Sequence, residues 1–182
     1  MNGRNGTMSK RNVTVFCSAS NHVAQNALDE AYEVGKRIAL AGDNLVTGCS
    51  TNGCMGAVAR GFDEYKTDNI HIGVYPMDLS EVEEPYQADK IIYKNTLKQR
   101  QAKLIQLADV FFILTGGVGT FYELFEVLTM MSVGQLPPRM IFLYNTNEFH
   151  NDTVMMLATM EQAGCLKKGL VDWVTPVRLN DE

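Results

Sequence analysis

The stretch that most constrains the fold runs from Leu107 to Met131, where a strand, a glycine loop and a helix follow one another directly. Val110 to Leu114 is an apolar run typical of a buried strand, and apolar residues recur at helical spacing from Phe121 onwards. Residues 115–120, TGGVGT, lie between the two. Such a junction leaves the first backbone N–H groups of the helix unpaired, at the positive end of its dipole. The stretch therefore predicts an anion site, most often for phosphate.

Glu123 lies one turn into this helix. A carboxylate close to a phosphate site repels the ligand unless the carboxylate has a role, and we hypothesise that the role is catalytic. The alternative is a glutamate near a helix N-terminus that is favoured only by the helix dipole.

Strands and helices alternate along the chain, which predicts an α/β fold with a doubly wound, mostly parallel, Rossmann-like sheet covered by helices on both faces. The expected strands are residues 13–17, 45–47, 70–75, 91–93, 110–114, 140–144 and 170–174. We expect residues 1–11 to be a disordered tail or vector-derived, and residues 12–182 to form a single nucleotide-binding α/β domain. In this architecture the loops after the first, second and central strands converge on one crevice.

Two of these loops carry candidate ligand contacts. The first expected strand ends in Ser18-Ala19-Ser20-Asn21, where Ser20 or Asn21 either contacts a ligand or merely caps the next helix. The second expected strand leads into a glycine loop that contains Gly48, Gly53 and Gly56. These glycines either let the backbone approach a ligand or allow a strand and a helix to pack closely. Neither glycine loop matches a P-loop or the G-x-G-x-x-G dinucleotide motif.

Composition excludes several classes of function. The formal net charge of -5 argues against a broad nucleic-acid surface. The chain has no apolar run long enough for a membrane span and no signal peptide at its start, so we expect a cytoplasmic protein. The four cysteines fit reduced thiols, and the C-x4-C pair Cys49 and Cys54 lacks the second pair that a zinc site needs.

Four segments together resemble the Lonely Guy family of cytokinin riboside 5'-monophosphate phosphoribohydrolases, a family long mislabelled lysine decarboxylase. They are CSAS from Cys17, TGCSTNGCMGAVA from Thr47, NTLKQRQAKL from Asn95 and TGGVGTFYELFEVLT from Thr115. The most specific piece is the PGGxGTxxE motif, which is matched from Gly116 to Glu123 with Thr115 in place of proline. Three departures stand out. Gln101 replaces the lysine that usually follows the family's arginine, Ser18-Ala19-Ser20 replaces Gly-Ser-Ser, and Cys49 and Ser50 stand in a Gly-Gly-Gly region.

The resemblance implies hydrolysis of the N-glycosidic bond of a nucleoside 5'-monophosphate, a cytokinin riboside monophosphate or an AMP-like nucleotide, to free base and ribose 5-phosphate. It implies Arg100 and Glu123 as the catalytic pair and no metal or organic cofactor. The implied substrate-binding residues are Ser18, Ser20, Gly48, Gly53, Leu97, Gln101, Gly116, Gly117, Val118, Gly119 and Thr120. Residues around the base are expected in the loop from Met77 to Ala88 and near Leu97.

Two other interpretations remain open: a pyrimidine nucleotide hydrolase of the same fold, and a non-catalytic carrier of a nucleotide or cofactor. A true lysine decarboxylase would need a Schiff-base lysine for pyridoxal phosphate, and Lys103, the nearest candidate, lies on a helix face. The helix after the glycine loop is apolar almost all round, so we expect a homodimer, as in the family. We expect no nucleic-acid or membrane partner.

Overall fold

The computed structural model describes residues 10–79 and 84–179. The expected tail lies outside them apart from Lys10 and Arg11, which form ion pairs with Asp68 (2.8 Å) and Asp43 (2.6 Å). Among the described residues, no helix is both long enough and apolar enough to cross a membrane.

Seven strands and five α-helices make up the described part of the chain. In chain order they are β1 Asn12–Phe16, α1 Gln25–Leu40, β2 Asn44–Thr47, α2 Gly53–Tyr65, β3 His71–Pro76, β4 Lys90–Lys94, α3 Leu97–Leu107, β5 Val110–Ile113, α4 Val118–Ser132, β6 Ile141–Tyr144, α5 Asn151–Gln162 and β7 Val174–Val177. Short 3-10 turns at Met77–Leu79 and Val171–Trp173 precede β4 and β7.

The strands form one sheet in the order β4-β3-β2-β1-β5-β6-β7, and every pairing is parallel. The predicted doubly wound α/β fold is confirmed. The strand order reverses between β1 and β5, and in open α/β sheets ligands bind at such a switch point, outside the carboxyl ends of the strands.

The core lies on both faces of the sheet. On one face, α3, α4 and α5 contribute Leu104, Leu124 and Leu157 to a cluster that includes Phe111 of β5. On the other face, α1 and α2 pack over β1 and β2. The near-continuous apolar character of the central strands follows from burial on both sides.

The last strand differs from the expectation. The sequence predicts a last strand or edge segment at residues 170–174. The strand β7 does lie at the edge of the sheet, but it begins at Val174 and ends at Val177, after a 3-10 turn. Leu170 is buried as part of the segment that leads into this turn. Pro176 argues against a strand interior, but the edge of a sheet tolerates proline, since one side of the strand needs no ladder bond.

Candidate active site

A cleft of about 310 Å³ lies at the switch point, where the segments after β1, β2 and β5 meet the end of β3. It is lined by Cys17, Ser18, Ala19, Gly48, Ser50, Met55, Tyr75, Pro76, Arg100, Gly117, Gly119, Thr120 and Glu123. The structure thus brings seven of the expected site residues together: Ser18, Gly48, Arg100, Gly117, Gly119, Thr120 and Glu123.

The loop after β1 lies between the two glycine loops and is hydrogen-bonded to both segments. Ser18 N donates to Thr115 O at 3.0 Å, and Met55 N donates to Ser18 O at 3.1 Å. Gly53 lies so close that a Cβ there would be 2.6 Å from Ser20 O and 2.8 Å from Ser18 O. The backbone of the first loop therefore fixes the distance between the other two loops.

The N-terminus of α4 faces the cleft. Its N-cap, Gly117, gives no side-chain capping bond, its first turn carries no acidic residue, and its first helical bond runs from Phe121 N to Gly117 O at 3.1 Å. A Cβ added to Gly117 or Gly119 would meet nothing within 4 Å. The N–H groups of residues 118–120 precede that first bond, so they have no partner in the helix and can receive an anion.

Glu123 and Arg100 meet in the floor of this cleft. Glu123 is buried, and Arg100 Nη1 lies 3.6 Å from its Oε1, which is an ion pair too long for a hydrogen bond. Burial raises the pKa of Glu123 to about 7 because it disfavours the charged form; the Arg100 charge opposes this rise and Glu126 adds to it. The carboxyl group therefore titrates close to neutral pH.

Arg100 is positioned by the start of α3 and by the end of β3. Thr96 caps the helix by accepting a bond from Gln99 N at 3.2 Å, and Arg100 Nε donates to Val74 O at 3.2 Å. The guanidinium fits only because Gly48 lacks a side chain, since a Cβ there would be 1.4 Å from Arg100 Nη2.

Cys17 also lines the cleft, at the end of β1. Burial raises the pKa of its thiol well above the usual value, and Cys54 and Glu123 raise it further. The thiol therefore stays protonated at neutral pH and is a poor nucleophile.

Six expected site residues do not line this cleft. Ser20 lies on the exposed first loop, where its hydroxyl accepts a bond from His22 N at 3.2 Å. Gly53 packs on that loop, and Gly116 borders a neighbouring cavity of about 420 Å³. Leu97 is exposed at the start of α3.

The other two lie in opposite environments. Val118 is 90% exposed on the first turn of α4, so only its backbone N–H is suited to a ligand. Gln101 is 3% exposed, and its amide Nε2 has no hydrogen-bond partner among the described residues. Its side chain points into the protein interior rather than into the cleft.

Sequence reasoning missed Cys17, Ala19, Ser50, Met55, Tyr75 and Pro76 as lining residues. A signal existed for Tyr75 and Pro76, because they end strand β3, and the carboxyl ends of parallel strands border the crevice. The part of the expected base-binding loop at residues 80–83 lies outside the described residues.

The fold and the cleft together define a doubly wound α/β protein with a cleft at the switch point of its sheet. The family model described as "Possible lysine decarboxylase" matches residues 55–181, and the chain belongs to this family. Together with the phosphoribohydrolase relatives of this chain, the match confirms the resemblance to the Lonely Guy family.

Named relatives agree with this membership. A cytokinin riboside 5'-monophosphate phosphoribohydrolase of Rhodococcoides fascians is 32% identical over 142 residues, which cover 77% of this chain and 70% of the relative. The phosphoribohydrolase LOG2 of Arabidopsis thaliana is 28% identical over 149 residues, 81% of this chain and 68% of its own length. Among solved structures, the molybdenum cofactor carrier protein of Chlamydomonas reinhardtii matches with a TM-score of 0.70 and 22% identity, over 92% of this chain and 89% of that protein.

Proposed function

We propose that this chain hydrolyses the N-glycosidic bond of a nucleoside 5'-monophosphate, releasing the free base and ribose 5-phosphate. The observation that carries the proposal is Glu123, a buried carboxyl group beside Arg100, one turn inside a helix whose open N-terminus faces the same cleft. A protein that only bound phosphate would gain nothing from a buried carboxylate one turn away from the helix N-terminus that receives the phosphate.

The phosphate anchors the substrate at the N–H groups of residues 118–120. Because the phosphate is held there, the ribose lies at a fixed position with respect to Glu123. The reaction with water then takes place at a defined geometry, which lowers the entropic part of the barrier. Thr120 holds the glycine loop in place because its side chain packs against Gly116, where a Cβ would be 2.1 Å from Thr120 Oγ1.

Glu123 acts in its ionised form. As the bond between C1' of the ribose and the base nitrogen breaks, positive charge develops on the ribose, and the carboxylate stabilises it. Glu123 also accepts a proton from the attacking water, whose oxygen bonds to C1'. The base leaves with the electron pair of the broken bond and takes up a proton.

Arg100 serves the same step from its position beside Glu123 in the floor of the cleft. Its permanent charge partly offsets the effect of burial on the pKa of Glu123, and its guanidinium orients the nucleotide as the base departs. This reaction requires only water as a second substrate, and the proposal includes no metal or organic cofactor.

Two alternatives remain. The same residues would serve a pyrimidine monophosphate, because the phosphate and ribose contacts do not depend on the base. A non-catalytic carrier is the other, and it is supported by the likeness to the Chlamydomonas carrier protein across most of the chain.

The test is to incubate the protein with AMP, CMP and isopentenyladenosine monophosphate and to measure free base and ribose 5-phosphate. We expect release from at least one nucleotide, and a loss of about a thousandfold in Glu123→Gln. Glu126→Gln is the matched control, because it makes the same change one turn further along α4, outside the cleft.

Each other outcome has a clear meaning. Tight binding of a nucleotide without release of base by the wild-type protein would favour the carrier. Undiminished release by Glu123→Gln would remove this residue from the mechanism.

A further inference from the structure

Cys49 adopts an unusual backbone conformation next to the cleft. Its φ of 68° lies in the left-handed region, and among the described residues only Glu148 is another non-glycine with positive φ. A side chain in this region is strained, so the surroundings must hold the residue in place. Such strained residues concentrate at functional sites.

The contacts that hold Cys49 come from two sides. Its N–H donates to Thr47 Oγ1 at 3.2 Å, its carbonyl accepts from Tyr86 N at 2.8 Å, and its thiol donates to Tyr86 O at 3.3 Å. The thiol also occupies the space above Gly73, where a Cβ would be 2.3 Å from Cys49 Sγ. The two hydrogen bonds with Tyr86 hold the loop after β2 against the segment that precedes β4.

The acceptor Thr47 is itself fixed by a buried partner. Its hydroxyl lies 2.8 Å from His71 Nε2, and both residues are fully buried. Burial lowers the pKa of His71 to about 4, so this imidazole is neutral at physiological pH and the contact does not change with protonation there.

The residue before Cys49 contacts Arg100. Gly48 lies against the guanidinium of Arg100, with no room for even a Cβ, and Arg100 lies 3.6 Å from Glu123. A shift of the Gly48 backbone by a fraction of an ångström therefore moves Arg100 with respect to Glu123.

We propose that Cys49 is a positioning residue. Its hydrogen bonds to Thr47 and Tyr86 hold the backbone of Gly48 in place, and Gly48 in turn limits where the Arg100 guanidinium can lie with respect to Glu123. The kinetic part of this inference rests on the proposed hydrolysis, whereas the placement of Arg100 does not. Cys49 acts through Gly48 and does not touch the substrate.

A graded series of variants tests the inference. Cys49→Ser keeps a hydrogen-bond donor and the size of the side chain, Cys49→Ala removes the donor, and Cys49→Gly also removes the conformational restriction. We expect kcat to fall in that order, within twofold of wild type for serine and on the order of tenfold for glycine, with KM changed by less than about twofold. The matched control is Cys165→Gly, which removes an exposed cysteine from the segment after α5.

A second measurement needs no activity. The carboxyl group of Glu123 can be titrated by 13C NMR in each variant. The charged and titratable groups that interact with it are Arg100, Glu126, Cys17 and Tyr122. A loosened Arg100 offsets burial less, so in Cys49→Gly the Glu123 midpoint should rise by about half a pH unit or more.

The outcomes separate the two claims. If the wild-type protein releases no base but the Glu123 midpoint moves in Cys49→Gly, the proposed function fails and the positioning role stands. If Cys49→Gly folds with an unchanged midpoint and unchanged kcat, the positioning role is overturned. Should the glycine variant not fold, the alanine variant decides on the same two measurements.

Discussion

Arg100 and Glu123 come from different helices on the same face of the sheet and meet with 3.6 Å between Nη1 and Oε1. Both side chains are largely buried, yet the pKa of Glu123 is still raised to about 7. The arginine therefore offsets only part of the cost of burying the carboxylate. In this pair, the Glu123 carboxyl group changes between its neutral and its charged form near neutral pH.

This titration should set the pH dependence of hydrolysis. The proposed mechanism uses the ionised form of Glu123, so it predicts that kcat/KM rises with pH through an inflection near 7 and then levels off. Initial rates at saturating and limiting nucleotide from pH 5 to 9 would measure this. An inflection near pH 4.5, the value for an unperturbed glutamate, would contradict the assignment.

The same group should make stability depend on pH. The folded pKa of Glu123 exceeds the unfolded one, so between about pH 4.5 and 7 the folded state binds more protons, and stability falls as pH rises. Glu123→Gln should therefore gain about 2 kcal/mol in free energy of unfolding relative to wild type on going from pH 5 to pH 8. Urea denaturation at the two pH values would measure the difference, and an equal effect of the substitution at both would refute the raised pKa.

Gly48→Ala should separate catalysis from stability. The added Cβ would overlap Arg100 Nη2, the end of a flexible side chain, which can move away. We expect kcat to fall by about tenfold or more, while stability changes by less than about 1 kcal/mol.

Gly42→Ala is the control for Gly48→Ala, because it should lower stability without lowering kcat. Gly42 has a φ of 76° in open space beyond α1, so alanine there should cost about 1 kcal/mol in stability and leave kcat unchanged. Normal kcat in Gly48→Ala would show that the Arg100 position is not critical.

Gln101→Met tests the residue that replaces the family lysine. The buried amide nitrogen has no partner among the described residues, and methionine fills a similar volume without a polar group. We expect an increase of about 1 kcal/mol in the free energy of unfolding and an unchanged KM for the nucleotide. A KM raised fivefold or more would instead support the substrate-binding role that the resemblance implies.

The homodimer also stays a prediction. Tyr122 and Val118 on α4, together with Val133 just after it, are large exposed apolar residues, and a second copy of the chain would remove them from water. Light scattering at micromolar concentration should give twice the mass of the chain, and Tyr122→Lys should shift the population towards monomer. A monomeric wild-type protein would contradict the prediction.

The sequence was informative wherever local patterns determine structure. Apolar runs located the first six strands within two residues at each end, because strands buried on both faces leave a continuous signal. The strand that was misplaced, β7, lies at the sheet edge, where the apolar pattern is weak and Pro176 is tolerated.

The site was less predictable because it depends on contacts between distant segments. The glycine loop and Glu123 are adjacent in sequence and could be found together. The space that Gly48 leaves for Arg100 arises only when the loop after β2 meets α3, and the backbone of Cys49 is held only when that loop meets the segment before β4. No local pattern reports such contacts.

The strand order also has a consequence for synthesis on the ribosome. β1 is central in the sheet, but its second neighbour, β5, is made much later; the bond from Asn12 N to Asp109 Oδ2 beside this pairing joins residues 97 apart. Until β5 emerges, one edge of β1 has no partner and can pair with another nascent chain. Arg100 and Glu123 lie on either side of β5 in the chain, so their contact can form only after the strand that closes this edge has been synthesised.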